Sequence, residues 1–431
     1  MVSLLVFSSV LVLMALGMPI AIALALATVA GMLVGGYDLI LIPQNMVSSV
    51  KSIELTAIPF FILAAALMNQ LGITRQIFAF AEALVGNLRG GLAQANVVAG
   101  FIFSGISGAA VADAAALAAI STREMPRVGY SREFAAATVL AVSTLGPIIP
   151  PSIMMVVYAI TANVSIARLF LAGILPGVLI AASLMLLIAA MTRWRLTPAP
   201  EPVPFSWRRL GRTTAGALLA LFAPVVIMRG MAAGWATPTE AGVLAVAYAL
   251  FVGVLQRSLR LHLITAALRE TVEATALILF VIAISSGLSY VFVAEGTARH
   301  LADLLTSMSV GPVSFLLISN VLLLLLGCLI ETLPAMLLAV PLLLPTALAV
   351  GVDPTHFGVL VIFNLLIGYM HPPMGVGLFI LMAIARVEFL PLVKATIPFL
   401  LVLLVALALL TFVPQISLWL PDLVLPQPVR P

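Results

Sequence analysis

Long apolar runs, separated by short polar stretches, dominate this chain. Within each run the hydrophobic residues are continuous and do not alternate with a period of two, which favours membrane helices over a barrel. The runs are residues 3–35, 54–72, 90–120, 133–162, 168–192, 213–230, 240–256, 271–294, 312–349, 357–385 and 396–413. Since a spanning helix needs about 20 such residues, they predict an all-α polytopic membrane protein with roughly a dozen crossings.

The composition excludes a water-soluble protein. Hydrophobic residues make up 63% of the chain and charged residues only 8%, whereas a soluble domain carries about 25% charged residues. The net charge of +4 is spread over the loops, so it indicates orientation in a lipid bilayer and gives no reason to expect nucleic-acid binding. The single cysteine, Cys328, excludes an internal disulfide.

A polar stretch rich in arginine and proline divides the chain. We expect residues 193–212 to be a cytoplasmic linker, because positively charged loops stay inside. It would separate an N-terminal half, residues 1–192, from a C-terminal half, residues 213–431. Thr237-Pro238-Thr239-Glu240 has the spacing of a capping box and predicts a helix start. The sequence leaves open whether residues 3–35 form one kinked helix or two.

The two halves share a pattern of backbone-breaking residues at one fixed offset of 222 positions. The matched pairs are Gly105 and Gly327, Gly129 and Gly351, Gly146 and Gly368, Pro150 and Pro372, and Pro151 and Pro373. Each half therefore contains a glycine break and then a helix interrupted by Gly-x-x-x-Pro-Pro, within residues 133–162 and 357–385. Internal repeats with paired broken helices are typical of secondary transporters.

Loop charges predict how the repeats are oriented. Arginines lie on both sides of the segment 90–120, whereas 312–349 follows a loop with only Arg299 and His300 and precedes one without Lys or Arg. Both ends of each segment should then share one side of the membrane, opposite for the two segments. Arms of about 15 residues, roughly 22 Å, are shorter than the ~30 Å hydrocarbon core. We therefore expect inverted repeats with two re-entrant helical hairpins.

The first hairpin tip combines hydroxyls with freed carbonyls. A proline in a helix leaves a backbone carbonyl without its hydrogen bond. At membrane depth such a carbonyl needs protein, water or an ion as its partner. A small hard cation would suit hydroxyls of Ser104 and Ser107 and carbonyls of Gly146, Ile149 and Pro151. The other candidates at this tip are Gly105, Gly108, Asp113, Ser143 and Pro150; Asp113 is the weaker one, since it has the alternative of a local cap or pair.

The second tip offers carbonyls of Gly327, Gly368 and Met374 in the same geometry. Glu331 and His371 are ionisable, and we expect both to lie in apolar surroundings. An ionisable group is costly in such surroundings and is functional by default. The remaining candidates are Thr332, Asn364, Pro372 and Pro373. Close helix packing is the alternative explanation for the small residues. Because both tips face a Pro-Pro break, we favour ion or substrate binding.

Several of these motifs together resemble one known family. They are Ser104-Gly105-Ile106-Ser107-Gly108, Ala112-Asp113-Ala114-Ala115-Ala116, Gly146-Pro147-Ile148-Ile149-Pro150-Pro151-Ser152, Thr237-Pro238-Thr239-Glu240-Ala241, His356-Phe357-Gly358, and Asn364 through Pro373. The chain resembles the large membrane subunit (DctM-type) of tripartite ATP-independent periplasmic (TRAP) transporters, within the ion-transporter superfamily.

The resemblance implies an elevator-type, sodium-driven transporter of the bacterial inner membrane, with no cofactor beyond sodium. A periplasmic substrate-binding protein would deliver a carboxylated solute, such as a C4-dicarboxylate or sialic acid, and a small four-helix membrane subunit would brace the chain. Carried over residue by residue, one sodium site falls on Ser104, Ser107, Gly146, Ile149 and Pro151. The second falls on Gly327, Gly368, His371 and Met374.

Two positions depart from the family pattern. The family usually has Thr where this chain has His371, and Asp where Glu331 stands. An imidazole titrates near neutral pH, so His371 would admit a proton or replace the ion by its charge.

Three other functions remain open from the sequence. A stand-alone sodium- or proton-coupled carboxylate symporter of the same superfamily would share the hairpins. An intramembrane enzyme is disfavoured, because the four histidines form no His-Glu-x-x-His motif and no Gly-x-Ser-x-Gly motif is present. A passive channel or scaffold subunit would not need paired cation sites.

Overall fold

The computed structural model of the chain describes residues 2–197, 204–297, 300, 303, 311–372 and 375–425. In the N-terminal half the helices are α1 (Val2–Ala15), α2 (Ile20–Gly35), α3 (Leu41–Ser49), a 3-10 turn (Ile53–Thr56), α4 (Ala57–Gln70), α5 (Ile73–Val85), α6 (Gly91–Ser107), α7 (Ala110–Arg127), α8 (Arg132–Ser143), α9 (Ile153–Ala162) and α10 (Ile166–Arg193).

The C-terminal half continues in the same way. Its helices are α11 (Trp207–Ala232), α12 (Pro238–Leu255), α13 (Leu261–Ala294), α14 (Pro312–Leu329), α15 (Thr332–Ala349), α16 (Pro354–Met370), α17 (Val376–Ala385), α18 (Phe389–Phe412) and α19 (Gln415–Val424). Among the described residues, 8 helical segments are long and apolar enough to cross a membrane. The prediction of an all-α polytopic membrane protein is confirmed.

The internal repeat extends from single residues to whole helices. Helices α7 and α15 both have 18 residues, and both their first and their last residues are 222 positions apart. Gly129 and Gly351, which follow these helices, adopt positive φ angles of 105° and 84°. Glycine tolerates this left-handed backbone without the steric penalty of a side chain. The same turn is therefore built twice, at matching places in the two halves.

Each half contains one interrupted helix. The first ends at Ser143 and resumes at Ile153, and the second ends at Met370 and resumes at Val376. Ser152 joins the two sides of the first interruption: its hydroxyl donates to the carbonyl of Pro147 at 2.7 Å and accepts from the amide of Met155 at 3.2 Å. This serine caps α9 and keeps the interruption compact.

Several boundaries differ from the sequence prediction. Residues 3–35, for which the sequence left open one kinked helix or two, form two helices, separated at Gly17, whose φ is 83°. The arms of the first helix pair, α6 and α7, have 17 and 18 residues rather than about 15. The predicted linker, residues 193–212, is shorter, because the hydroxyl of Ser206 accepts from the amide of Arg209 and caps a helix that begins at Trp207. Residues 198–203 lie outside the described residues.

The predicted capping box at the start of α12 is present. The hydroxyl of Thr237 accepts from the amide of Glu240 at 3.3 Å, and the Glu240 carboxylate accepts from the amide of Thr237 at 2.7 Å. Two orphan amides at the helix start are thereby satisfied. This local bond explains Glu240 without an intramembrane role.

The interrupted helices of the two halves pack against each other. Tyr158 on α9 is fully buried, and its hydroxyl donates to the carbonyl of Pro354 at the start of α16 at 2.7 Å. Its ring lies against Gly358, one turn further along α16. The hydrogen bond fixes the ring, so the small residue at position 358 is what permits this close contact.

We expect Gly358→Ala to destabilise the protein by about 1–3 kcal/mol, the usual range for overpacking a core. A Cβ at this position would lie 2.3 Å from Cε1 of Tyr158. Thermal unfolding of the purified chain in detergent would measure the effect. The matched control is Gly216→Ala on α11, where a Cβ meets no atom within 4 Å. Equal melting temperatures for the two variants would contradict the packing argument.

Candidate functional site

A buried carboxylate lies at the turn between α6 and α7. Asp113, in the first turn of α7, is fully buried. The hydroxyl of Ser104 donates to its Oδ2 at 2.8 Å, and the hydroxyl of Ser107 donates to its Oδ1. Gly108, with φ of 63°, ends α6 between these groups. The turn therefore gathers three polar side chains away from solvent.

The interruption between α8 and α9 lies directly against this turn. A Cβ on Gly146 would come within 2.5 Å of Oδ2 of Asp113, and a Cβ on Gly108 within 2.5 Å of the carbonyl oxygen of Pro151. The amide of Ile153 donates to the carbonyl of Gly108 at 3.3 Å. Glycine is required at positions 108 and 146 because backbone and carboxylate occupy the space of a side chain.

The interruption leaves several buried carbonyl oxygens without a hydrogen bond from any described residue. Those of Gly146, Ile149 and Pro151 are among them, together with those of Thr144, Ile148 and Pro150. Buried carbonyls are normally paired, and an unpaired one costs free energy comparable to a lost hydrogen bond. Together with Asp113 and the two serine hydroxyls, they form an all-oxygen set of the kind that hard cations prefer.

The other predicted residues of this tip have separate contacts. Gly105 lies where α6 meets α11: a Cβ there would be 3.1 Å from Pro224 and 3.6 Å from the carbonyl oxygen of Pro150. The hydroxyl of Ser143 donates to the carbonyl of Leu140 in its own helix at 2.8 Å. Neither contact points to a ligand role.

The second tip is built mainly from backbone. A Cβ on Gly368 would lie 2.5 Å from the carbonyl carbon of Gly327, so α14 and α16 touch through two glycines. The amide of His371 donates to the carbonyl of Gly368 at 3.0 Å, and the thiol of Cys328 donates to the carbonyl of His371 at 3.5 Å. Pro372 follows directly, while the predicted Pro373 and Met374 lie outside the described residues.

The ionisable groups of this tip lie next to helix ends. Glu331 directly precedes α15 and is exposed in the chain alone, and since the exposed surface of a membrane protein includes the part that faces lipid, its apolar surroundings stay a prediction. A carboxylate at a helix start is favoured by the helix dipole, which suits its position. His371 is half-buried, and its Nδ1 lies 2.5 Å from the carbonyl oxygen of Pro372. Thr332 is buried beside Glu331.

Asn364 belongs to a buried polar network one turn away from Gly368. Its Nδ2 donates to the backbone carbonyl and to Oδ1 of Asn320 at 3.0 and 2.9 Å, and Asn320 in turn donates to Thr411 at 2.9 Å. The network joins α14, α16 and α18. Sequence reasoning missed Asn320 and Thr411, although a lone asparagine inside a leucine-rich run is itself a signal, because polar groups in membrane helices are expensive.

Comparison with known families decides the identity of the chain. The model of the family described as "Tripartite ATP-independent periplasmic transporter, DctM component" matches residues 7–416. The chain belongs to this family. It is therefore a multi-pass protein of the bacterial inner membrane and a transport permease rather than an enzyme. Large permease subunits of TRAP transporters work with a small membrane subunit and a periplasmic binding protein.

Individual relatives match over nearly the whole chain. It is 38% identical to the sialic acid TRAP transporter large permease protein SiaM of Vibrio cholerae, over 95% of this chain and 96% of the relative. It is 35% identical to the C4-dicarboxylate TRAP transporter large permease protein DctM of the same organism, over 98% of each chain. Among solved structures, the Alcanivorax borkumensis YdaH transporter shares the fold, with a TM-score of 0.60 at 16% identity, covering 85% of this chain and 88% of that one.

We expect Ser104→Ala to lower the free energy of unfolding by about 1.5–3 kcal/mol, because it removes a hydrogen bond to a buried carboxylate. The same change in an Asp113→Ala background should have much less effect, since the acceptor is gone. Equilibrium unfolding in mixed micelles, in sodium-free buffer, measures both.

The matched control is Ser183→Ala, whose hydroxyl donates only to the carbonyl of Leu179 in its own helix at 2.7 Å. It should change stability by less than about 0.5 kcal/mol. A loss for Ser104→Ala that is the same with and without Asp113 would show that the pair is not energetically coupled.

Proposed function

We propose that this permease imports a carboxylated organic solute, delivered by a periplasmic binding protein, by coupling its movement to sodium. The observation that carries the proposal is the oxygen cluster at the first tip. Unpaired buried carbonyls, those of Gly146, Ile149 and Pro151 among them, belong to the segment that packs against a carboxylate and two hydroxyls. Unwound backbone in a transporter is typically where coupling sodium ions bind.

We assign Asp113 a larger part in this site than the sequence suggested. Its carboxylate supplies the negative charge that the cluster needs, and both serines already orient toward it. A bound cation would compensate this buried charge, which is otherwise costly. The serine oxygens keep lone pairs for the ion while their hydrogens point to Asp113.

The helix pairs α6–α7 and α14–α15 fit the proposed re-entrant hairpins. In each pair, two arms of 17 or 18 residues, about 26 Å long, are joined by a turn of two residues. Arginines flank the open end of the first pair, so we expect that end in the cytoplasm under the positive-inside rule. In the proposed elevator, the two tips and interrupted helices would move as one body against the remaining helices.

The solute class follows from the family members. Relatives are named for sialic acid and C4-dicarboxylates, both of which are carboxylated. The dependence of such permeases on a binding protein favours this function over a stand-alone symporter. A small four-helix membrane subunit would complete the complex and cover part of the apolar surface of the chain.

In proteoliposomes containing both membrane subunits, an inward sodium gradient should drive uptake of a carboxylated solute presented by the binding protein. Ser107→Ala should raise the half-saturating sodium concentration about tenfold, which corresponds to roughly 1.4 kcal/mol of lost ion binding. Ser183→Ala serves as the control and should keep the wild-type value. Uptake of equal size with potassium in place of sodium would contradict sodium coupling.

The second site has Gly327, Gly368 and His371 in contact. If the imidazole of His371 exchanges a proton during coupling, uptake by the wild type should depend on external pH. His371→Thr should flatten that pH profile and raise the number of sodium ions moved per solute. The test is solute and sodium flux measured together from pH 5.5 to 8, with Cys328→Ser as the control. An unchanged profile and stoichiometry in His371→Thr would remove the histidine from the mechanism.

A further inference from the structure

A large cleft separates the outer helices α4 and α5 from the first helix pair. It has a volume of about 990 Å³ and is lined by residues from the end of α4, from α5 and from one side of α7. A smaller cavity of about 150 Å³ lies deeper and includes Ser107 at the tip, with Phe103 and Ile153. We call these the vestibule and the tip cavity.

The two spaces adjoin each other. Asn69 lines both of them. One side of α7 also runs through both: Ala112 faces the tip cavity, and Ala116, Ala119 and Arg123 face the vestibule at successive turns. The twelve residues from 112 to 123 cover about 16 Å of helix. One side of α7, with alanines at 112, 116 and 119, therefore borders both spaces, and we call the two spaces together the passage.

The charges of the vestibule do not cancel. Two arginines and two glutamates line it: Arg75, Arg123, Glu82 and Glu124. Both glutamates are already paired with arginines outside the vestibule, since Glu82 binds Arg209 and Glu124 binds Arg127, each at 2.8 Å.

Arg75 and Arg123 are exposed and form no ion pair with any residue that the structure describes. They come from different helices, α5 and α7, and both line the cleft. The vestibule therefore presents two uncompensated guanidinium groups to whatever passes between them.

The tip cavity has the opposite charge. Glu270 on α13 lines it and has no cationic partner in the described part of the chain. A carboxylate in the passage is repelled by Glu270 and attracted by the arginines, so the fixed charges favour the outer position. Guanidinium groups suit this role, because their planar donors match the two oxygens of a carboxylate.

We propose that Arg75 and Arg123 form an anion-binding site in the vestibule. This site binds the carboxylate of the solute on its way between the tip and the membrane surface that carries the arginines. This inference rests on the proposed function, in which that surface is cytoplasmic and the solute is carboxylated. The arginines thereby set the affinity for solute on the release side and give the passage its preference for anions. They do not alter the affinity on the side where the binding protein docks.

The test is solute exchange in proteoliposomes that contain the complete complex, with N-acetylneuraminate and succinate as the probe solutes. Adding loaded binding protein only outside selects complexes whose docking side faces outward. Arg75→Gln and Arg123→Gln should each raise the half-saturating internal solute concentration about two- to fivefold, in line with exposed ion pairs. Their effect should shrink at high salt, and the external half-saturation for loaded binding protein should stay constant.

Two comparisons sharpen the result. Arg89→Gln removes an arginine from the same surface outside the vestibule and should leave internal half-saturation unchanged. Arg123→Lys keeps the charge and should recover part of the loss. The proposal is overturned if Arg75→Gln and Arg123→Gln behave like Arg89→Gln. It is also overturned if cysteine labelling at Leu88→Cys, introduced into Arg75→Gln and Arg123→Gln, shows that the orientation of these two variants in the membrane is inverted. A wild-type complex that exchanges neither carboxylated solute would instead refute the proposed function.

Discussion

The need to satisfy backbone carbonyls away from water governs this structure. An intact helix satisfies its own carbonyls, and an interrupted helix in a membrane protein does not. At the first interruption, one carbonyl is satisfied by Ser152, while Gly146, Ile149 and Pro151 keep open oxygens. The turn carrying Asp113 lies against this interruption, at Gly146 and at the carbonyl oxygen of Pro151. The fold thus places a negative group and electron-rich oxygens together, an arrangement that a cation stabilises.

The two halves share a backbone plan and differ in the chemistry placed on it. Ser104, Ser107 and Asp113 correspond, at the offset of 222, to Leu326, Leu329 and Ala335. The first tip thus contacts its interrupted helix through polar side chains and carbonyls, and the second through the glycine pair, Gly327 and Gly368. A repeat preserves backbone geometry because turns and close contacts need particular residues. It leaves the side chains free to diverge, so the two sites need not bind the same ion or bind it equally well.

The backbone plan was predictable from the sequence, because glycine and proline act locally. Both helix pairs and both interruptions could be located from the spacing of Gly105, Gly146, Pro150 and Pro151 and of their equivalents at the offset of 222. The capping box at Thr237 and Glu240 was predictable for the same reason, since its bonds lie within four residues.

Contacts between distant segments were less predictable. From the sequence, Asp113 was the weaker candidate at the first tip, and only the fold shows Gly146 closing over its carboxylate. The depth of Glu331 depends on how the turn before α15 is placed, which hydropathy does not encode. Arg209 looked like part of a linker until Ser206 and Glu82 gave it a helix start and a partner.

Hydrogen bonds and ion pairs between helices also define which parts of the fold can move together. The bond from Tyr158 to Pro354 joins the interrupted helix of one half to that of the other, and the ion pair of Arg168 with Asp422 ties α10 to α19. On the other side of the vestibule, Glu82 and Arg209 hold α5 to α11. Along the vestibule itself, α7 presents alanines, which offer little side-chain interlocking to resist sliding.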